Sequence, residues 1–408
     1  MHVDADSFYA SVECLYHPSL RNKPVAVCGD EEQRHGIILA KNQPAKKYGV
    51  KTGEAIWQAR AKCRDLVLLP ARYDLYMKFS GYLREIYSYY TDQIENFGLD
   101  ECWCDVSGGV GLLGQGIYMA KEISATVRRE LGITVSVGIA WNKIFAKLGS
   151  DYRKPNGITE FTKENFRELI WPRPASDLLY VGPATSRKLG NYGIRTIGQL
   201  AQMDANWLRR LLGKWGVYLW QFANGLDITP VSTLGAESAI KSVGNSITTQ
   251  RDVENFGEAW QVILSLSESV SRRLRENALR CRVVEVSYRN NQLIWNAAQK
   301  RLSGATCLTD DISKTAYELL KARYSFSRPL RAIGVRGSDV VGMDVGIQTS
   351  LLSDPVRQER RERAENCMDQ LRKRFGMNSI QRASLLHADI LGESDPLTHF
   401  VHPVAYFR

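Results

Sequence analysis

Asp4, Asp100 and Glu101 are acidic residues in segments that otherwise read as buried strands. Asp4 ends the first apolar segment, and Asp100 and Glu101 are adjacent in GLDECWCDVSG. Burying an unpaired carboxylate is costly, and a divalent metal ion offsets that cost. Mg²⁺ prefers oxygen ligands from carboxylates, water and phosphate, and two such ions about 4 Å apart clamp the attacking and leaving oxygens of a phosphoryl transfer. The pattern therefore predicts a two-metal site for phosphoryl transfer.

Turn capping is the alternative role for carboxylates such as Asp100 and Asp105, and for Asp100 the pattern leaves both roles open. For Asp105 capping is favoured, because the turn residues Ser107-Gly108-Gly109 follow directly. Two lysines are also candidates for binding an anion. Lys154 projects from the turn sequence Lys-Pro-Asn-Gly, and Lys46 lies on a predicted helix, although each by itself is typical of a solvated surface.

The elements that must position these residues alternate between strands and helices. Short apolar runs predict strands, and apolar residues at helical spacing predict helices. The first part of the chain reads as a strand and helix over 1–13, strands at 24–28 and 36–40, a helix at 42–48, a helix at 74–96, a strand pair within 97–109, a helix at 115–131 and a strand at 134–140. The order strand, helix, strand, strand, helix, strand indicates a ferredoxin-like α/β domain.

The remainder of the chain predicts a linker, a helical part and a second α+β part. These comprise a linker at 172–176, short helices over 177–227, helices at 256–279 and 309–324, strands at 282–289, 292–297 and 330–337, and a charged amphipathic helix at 354–376. Gly182 and Gly213 mark two glycine hairpins within the helical part. Such turns present backbone N–H groups to phosphate, and a plain helical hairpin is the alternative.

The charge of the chain favours a polyanionic partner. Its 408 residues include 54 Lys and Arg against 44 Asp and Glu, which gives a formal net charge of +10. Basic clusters at 41–51 and 272–282 suit a long ligand that is held at more than one place; a basic soluble enzyme is the alternative.

Composition excludes several other classes of protein. Hydrophobic residues make up 44% of the chain, which is typical of a globular protein, and no apolar run reaches the ~20 residues of a membrane span. The N-terminus lacks the features of a secretory signal. The eight cysteines are scattered without a CxxC pair, so we expect no structural zinc site and reduced thiols in a cytoplasmic protein.

Five ordered segments resemble the Y-family translesion DNA polymerases, particularly their DinB-like and UmuC-like branches. They are VDADSFYASVE, AKKYGVKTG, LDECWCDVSG, SVGIAWNKIFAKLGSDYRKPNGI and KSVGNSIT. The resemblance implies a multidomain α+β chain arranged as a right hand. Its parts are a ferredoxin-like palm (1–18 and 73–165), small fingers (19–72), a helical thumb with helix-hairpin-helix motifs (166–235), an α+β little finger (240–340) and a tail (341–408) with a clamp-binding peptide and a charged helix.

The resemblance also implies an activity. The chain is expected to be a monomeric DNA-directed DNA polymerase of the DNA-damage (SOS) response. It would add deoxynucleotides to a primer opposite damaged template by two-metal-ion transfer. A catalytically silent scaffold that binds DNA and the sliding clamp is the alternative, and the presence of all three carboxylates argues against it.

Particular residues take roles by this resemblance. Asp4, Asp100, Glu101 and the carbonyl of Ala5 hold two Mg²⁺ ions, and Tyr9 is a steric gate that excludes a ribose 2′-hydroxyl; a core aromatic is the alternative for Tyr9. The nucleotide-binding residues are Phe8, Gln43, Lys46 and Lys154. The DNA-binding residues are Gly182, Gly213, Lys241, Ser242, Arg272, Arg273 and Arg275, and the clamp-binding residues are Gln348, Leu351 and Leu352.

One departure from the DNA polymerase IV pattern concerns the triphosphate. Where that pattern has Tyr-x-x-Arg, this chain has Gln43-Pro44-Ala45-Lys46. A lysine is a point charge and does not fork two oxygens as arginine does. We therefore expect weaker nucleotide affinity.

Overall fold

Most of the predicted strands and helices are present in the predicted order, and further elements lie between them; the predicted strand pair within 97–109 contains one strand, Glu101–Cys104. The structure, a computed structural model, describes residues 1–29, 36–236, 239–345, 355–386 and 389–391. The strands are β1 (His2–Ala5), β2 (Val25–Cys28), β3 (Ile38–Lys41), β4 (Val67–Pro70), β5 (Ile94–Asn96), β6 (Glu101–Cys104), β7 (Val135–Ile139), β8 (Ile158–Glu160), β9 (Ser242–Val253), β10 (Leu279–Asn290), β11 (Trp295–Thr306) and β12 (Leu330–Gly342).

Helices separate these strands and also form a purely helical stretch. They are α1 (Phe8–Tyr16), α2 (Gln43–Lys47), α3 (Ile56–Lys62), α4 (Tyr73–Ser88), α5 (Val110–Leu113), α6 (Gly116–Leu131), α7 (Lys143–Tyr152), α8 (Phe166–Ile170), α9 (Pro183–Gly190), α10 (Ile197–Ala201), α11 (Ala205–Leu212), α12 (Lys214–Ala223), α13 (Phe256–Glu276), α14 (Thr309–Arg323) and α15 (Pro355–Phe375). Among the described residues, no helix is long and apolar enough to cross a membrane. The chain divides into two units, with the boundary near residue 237.

The central sheet of the first unit has the order β5-β6-β1-β7-β8. Strand β1 pairs antiparallel with β6 and β7, while β8 runs parallel to β7. The first four strands in this order have the ferredoxin-like arrangement that the sequence predicts, and β8 extends it. The strand β1 therefore lies in the middle of the sheet, with buried residues throughout its length.

The apolar core of this sheet includes buried faces of α1, α4 and α6. The prediction of one helix over 74–96 is wrong at its C-terminal end, since α4 ends at Ser88. Ile94 instead begins β5, where it lies opposite Cys104 and is 1% exposed. The apolar residue that extended the helical pattern is thus explained by burial in a strand.

A small three-stranded sheet, ordered β3-β2-β4, lies with α2 and α3 around its own core. Asn42 joins this sheet to α2 through its side chain. The amide oxygen accepts hydrogen bonds from the backbone N–H groups of Ala45 (3.1 Å) and Val25 (3.0 Å), and the amide nitrogen donates to the Lys23 carbonyl (2.7 Å). The cap of α2 therefore also fixes its position against β2.

Helix α7 packs against both the helical core and the central sheet. Its residues Ile144, Phe145 and Leu148 pack into the helical core formed with α8 to α12. Its opposite side packs closely on β7, where an added Cβ at Gly138 would lie 1.9 Å from the carbonyl oxygen of Ala146. Only glycine permits this approach, so the helix is held tightly against the central sheet.

The second unit is an antiparallel sheet, ordered β11-β10-β12-β9, with α13 and α14 contributing to one apolar core. The helix α15 joins this unit through charged side chains rather than through the apolar stripe expected of an amphipathic helix. Glu268 of α13 is 1% exposed, with Arg372 Nη2 at 3.3 Å and Arg382 Nε at 2.9 Å. Arg280 is paired with Glu362 at 2.9 Å.

We predict that Glu268→Ala lowers the free energy of unfolding by about 3–5 kcal/mol, because it leaves the buried guanidinium of Arg372 without its carboxylate. Chemical denaturation of the full chain, followed through hydrogen exchange of the α13 amides, measures this loss. Glu359→Ala is the matched control. Glu359 is paired with Arg363 at the surface, with both side chains about two-thirds exposed, and its loss should change stability by less than about 1 kcal/mol. Equal effects of the two variants would contradict the prediction.

Candidate active site

The three predicted carboxylates lie close together where β1 ends and β6 begins. Asp4 lies directly opposite Glu101 in the antiparallel pair, and the backbone N–H of Ala5 donates to the carbonyl of Asp100 at 2.9 Å. Asp4 is buried, and Asp100 and Glu101 are partly buried. Residues almost 100 positions apart are thus brought together by strand register.

Two ammonium groups lie among these carboxylates. Lys154 Nζ is 2.7 Å from Asp4 Oδ2 and 2.7 Å from Asp151 Oδ1. Lys147 Nζ, from α7, is 3.3 Å from Asp4 Oδ2 and also pairs with Glu101. Lys154 was expected near a triphosphate, whereas sequence reasoning missed Lys147. Its only local signal is its position one helical turn before Asp151.

Burial makes ionisation of these acids unfavourable. It raises the pKa of Asp100 to about 6, with a further contribution from the negative charge of Asp4. Burial also raises the pKa of Glu101 to about 7, although Lys147 opposes the shift. For Lys147 burial lowers the pKa, but the carboxylates of Glu101 and Asp4 raise it overall. Nearby cations are therefore needed to stabilise the ionised form of these carboxylates.

A neutral histidine lies beneath the acids. His2 is 0% exposed, with its Nδ1 2.8 Å from Ser150 Oγ and its Nε2 3.5 Å from Glu101 Oε2. Burial, followed by the positive charges of Lys147 and Lys154, lowers the pKa of His2 well below its ordinary value. The imidazole thus adds no positive charge to the site.

Asp6 anchors the loop that carries Lys154. It accepts hydrogen bonds from the Thr134 and Ser136 hydroxyls, each at 2.8 Å, and from the backbone N–H of Asn156 at 2.7 Å. The turn Lys-Pro-Asn-Gly is thereby tied to the end of β1. Sequence reasoning missed Asp6, although its position two residues after Asp4 was an available signal.

Tyr9 lies at the start of α1 with its ring half-buried. It is stacked on Tyr76, with the ring centroids 4.2 Å apart and the planes 9° from parallel, and it meets Tyr73 edge-on at 6.0 Å. The neighbouring side chain of Phe8 is 2% exposed and belongs to the core. Nucleotide binding by Phe8 stays a prediction, and the burial of its ring leaves the backbone as the part available for that role.

The other predicted nucleotide- and DNA-binding residues are mostly at the surface. Lys46 is exposed and Gln43 partly buried on α2; Gly182 and Gly213 are the exposed N-caps of α9 and α12; Lys241 and Ser242 are exposed where β9 begins. Gly213 has a φ of +66°, a conformation that favours glycine. Gln348, Leu351 and Leu352 lie outside the described residues.

The arginine cluster differs from its prediction. The side chain of Arg275 is 4% exposed and is paired with Glu365 and, at 2.7 Å, with Asp369. Its predicted contact with DNA is therefore wrong, because its guanidinium is committed within the chain. The guanidinium of Arg272 is 2.9 Å from Glu276, and that of Arg273 donates to the Gly244 carbonyl at 3.0 Å.

Asp105 accepts from the Ser107 backbone at 3.0 Å, as the turn-capping interpretation predicts.

Comparisons with known proteins agree on one family. The impB/mucB/samB family model matches residues 3–151, and the model of that family's C-terminal domain matches residues 240–351. DNA polymerase IV of Acetivibrio thermocellus is 50% identical over 95% of this chain and 97% of the relative. DNA polymerase IV 2 of Bacillus subtilis is 35% identical over 95% and 94%.

Solved structures give the same result. A Y-family DNA polymerase chimera, Dbh-Dpo4(243-245)-Dbh, is similar with a TM-score of 0.72 and 25% identity over 83% of this chain and 98% of that chain. DinB from Sulfolobus solfataricus is similar with a TM-score of 0.54 and 26% identity over 83% and 97%.

The chain belongs to the Y-family of translesion DNA polymerases. Its α+β right-hand fold and its DNA-directed DNA polymerase activity, both expected from the sequence, are confirmed by these relatives. The roles of individual residues stay predictions.

We predict that Asp100→Asn stabilises the metal-free protein increasingly as pH rises from 4 to 7. The folded pKa of Asp100, about 6, exceeds the unfolded value of about 3.9. Its contribution to stability is therefore present below about pH 4 and is lost as pH rises through about 6, whereas asparagine does not titrate. The difference in the free energy of unfolding should approach about 3 kcal/mol, measured by denaturation in a chelator.

Asp105→Asn is the control for this titration and should have the opposite effect. Although burial raises the pKa of Asp105, hydrogen bonds from Ser107 lower it overall. Its carboxylate therefore adds stability above the unfolded pKa, and the asparagine variant should become relatively less stable as pH rises. If both variants responded to pH in the same direction, the raised pKa of Asp100 would be refuted.

Proposed function

We propose that this polymerase joins deoxynucleotides to a primer at the carboxylates of Asp4, Asp100 and Glu101. The observation that carries the proposal is their meeting on paired strands beside Lys147 and Lys154, where hard oxygen donors and phosphate-binding cations are adjacent. An incoming deoxynucleoside triphosphate supplies negative charge for the lysines. The primer end then meets the α-phosphate beside the carboxylates.

The donor set fits magnesium by its chemistry. Carboxylate oxygens are the ligands this ion prefers. Burial, followed by the negative charge of Asp4, raises the pKa of Asp100, and a divalent cation would favour its ionised form. Among the residues described, no group of three acidic, histidine or cysteine side chains is arranged to hold a metal ion. Asp4 is instead paired with Lys147 and Lys154, and Glu101 with Lys147. When bound, two Mg²⁺ ions would stabilise the attacking and leaving oxygens of the transfer.

The lysines have complementary roles in this proposal. Lys154 is 24% exposed in its side chain, and its ammonium can exchange the Asp4 carboxylate for a phosphate oxygen without moving the anchored loop. Lys147 is 16% exposed and holds Asp4 and Glu101 in place until substrate arrives. Gln43 and Lys46, on α2, are proposed to meet the outer phosphates.

Binding of primer-template DNA is proposed to use both units. The N-caps Gly182 and Gly213 present backbone N–H groups at helix N-termini, where phosphates bind without base specificity. In the second unit, Lys241 and Ser242 begin the exposed edge strand. Arg336 and Arg301 replace Arg275 as the basic residues proposed to contact phosphates. Their side chains are 54% and 66% exposed, and their pairs with Glu285 at 4.0 Å and Asp339 at 3.0 Å are surface ion pairs, which are weak.

Further properties follow from the family resemblance alone. They are a monomeric state, a cytoplasmic location, a role in the response to DNA damage, and docking of the sliding clamp on Gln348, Leu351 and Leu352. The catalytically silent scaffold remains disfavoured, because a scaffold has no use for three acids whose burial is costly.

We predict that Asp100→Ala or Glu101→Ala lowers primer extension in Mg²⁺ at least about 10³-fold while DNA affinity changes little, because charge stabilisation in the transition state is lost. Single-turnover extension and a binding titration measure the two quantities. Asp105→Ala, which removes a nearby carboxylate that caps a turn, is the matched control and should extend normally. Near wild-type rates in both active-site variants would contradict the proposal that Asp100 and Glu101 bind the metal ions, and with it the proposed active site.

We predict that Tyr9→Ala increases insertion of ribonucleotides relative to deoxynucleotides by at least about 100-fold. The ring discriminates by clash with the 2′-hydroxyl, and its removal touches no proposed metal ligand. Single-nucleotide insertion with matched deoxy and ribo substrates gives the ratio. Tyr89→Ala, at a 72% exposed tyrosine, is the control. An unchanged ratio with lower rates on both substrates would identify Tyr9 as a core aromatic instead.

A further inference from the structure

We propose that Glu13 is a positioning residue for sugar selection, which it controls by holding Tyr76 against the gate ring of Tyr9. The inference rests on the proposed function, in which Tyr9 is the gate. Glu13 lies four residues after Tyr9, so both project from the same face of α1. Helix α4, which carries Tyr76, packs against that face.

The carboxylate of Glu13 is buried and fully engaged. Its residue is 1% exposed. Oε1 accepts hydrogen bonds from Tyr76 Oη at 2.7 Å and from Arg72 Nε at 3.0 Å, and Oε2 pairs with a second nitrogen of Arg72. A buried carboxylate is costly unless it is paired and hydrogen-bonded, so this arrangement fixes the geometry of all three groups.

The hydroxyl of Tyr76 is a dependable donor to this carboxylate. Burial, followed by the hydrogen bond to Glu13, raises the pKa of Tyr76 well above its ordinary value. The phenol therefore keeps its proton at neutral pH and can donate it in a hydrogen bond to the carboxylate of Glu13. Because Tyr76 is 0% exposed, its ring is enclosed by neighbouring side chains, and the hydrogen bond to Glu13 fixes the position of its hydroxyl.

The fixed ring of Tyr76 in turn positions the ring of Tyr9, which is stacked on it. Tyr9 and Tyr76 lie nearly parallel with centroids 4.2 Å apart, and Tyr73 closes one edge at 6.0 Å. Tyr9 itself is only half-buried. Tyr76 supports one face of its ring. Exclusion by clash requires a ring that is held in one position, because reacting groups are sensitive to displacements of about 1 Å. The hydrogen bond from Tyr76 to Glu13 supplies that resistance.

A competing interpretation is that Glu13 and Arg72 only fasten α1 to α4. The two interpretations differ for Tyr76→Phe, which removes the hydroxyl but keeps the ring and the ion pair. Positioning predicts that the ratio of ribo to deoxy insertion rises about tenfold, mainly through kcat/KM for the ribonucleotide. Fastening alone predicts no change in the ratio.

Variants of Glu13 give a second separation. Glu13→Ala removes both the acceptor and the ion pair and should raise the ratio as Tyr76→Phe does. Glu13→Gln keeps an oxygen that can accept from Tyr76 and should retain most of the selectivity, although it loses the charge opposite Arg72. Fastening alone predicts that both variants lose stability and that neither changes the ratio.

The experiment measures single-nucleotide insertion of matched ribo and deoxy substrates by the full chain carrying Tyr9→Ala, Tyr76→Phe, Glu13→Ala or Glu13→Gln. Glu268→Ala, destabilised in the second unit, is the control for lost stability and should keep the wild-type ratio. A raised ratio in Tyr76→Phe and Glu13→Ala supports the proposal. An unchanged ratio in Tyr76→Phe beside a raised ratio in Tyr9→Ala overturns it and leaves the polymerase site intact. An unchanged ratio in Tyr9→Ala overturns the gate itself.

Discussion

Negative charge held inside the central sheet is the constraint on which the first unit depends. Asp4 lies on the middle strand, opposite Glu101, and the pKa of Asp100 is raised to about 6 by burial and by its neighbour's charge. Lys147 and Lys154 compensate for this charge. Helix α7 must therefore lie close to β7, and the loop after it must be fixed. Asp6 fixes this loop by accepting a hydrogen bond from the backbone of Asn156, while the hydroxyls of Thr134 and Ser136 hold its carboxylate.

Much of the first unit was predictable because its signals are local. Adjacent acids in an apolar run identified Asp100 and Glu101, and the order of apolar runs indicated the ferredoxin-like sheet. Contacts between distant segments carried no such signal. Lys147 looks like an ordinary helical lysine until the register of β1 and β6 brings the acids to it, and Ile94 extended a helical pattern although burial beside Cys104 places it in a strand.

The second unit shows why a basic cluster in a sequence is weak support for a nucleic-acid surface. The acids of α15 that partner the arginines, Glu362, Glu365 and Asp369, lie about 90 residues further along, at the spacing of one helical face. Charges that look unopposed in a local window are neutralised once that helix packs. Exposed basic residues such as Arg336 are dispersed along strands, so they do not form a basic cluster in the sequence.

Helix α7 also has a consequence for how this chain can be divided or recombined. Its Ile144, Phe145 and Leu148 complete the core of the helical segment, while its Lys147 reaches the acids of the sheet. The side chains of Trp141 and Asn142, just before it, donate to the carbonyl of Gly225 at 2.9 and 3.2 Å. Exchange of the helical segment alone would cut through a shared element. A suitable crossover point therefore lies near residue 237, with the sheet and the helical segment exchanged together.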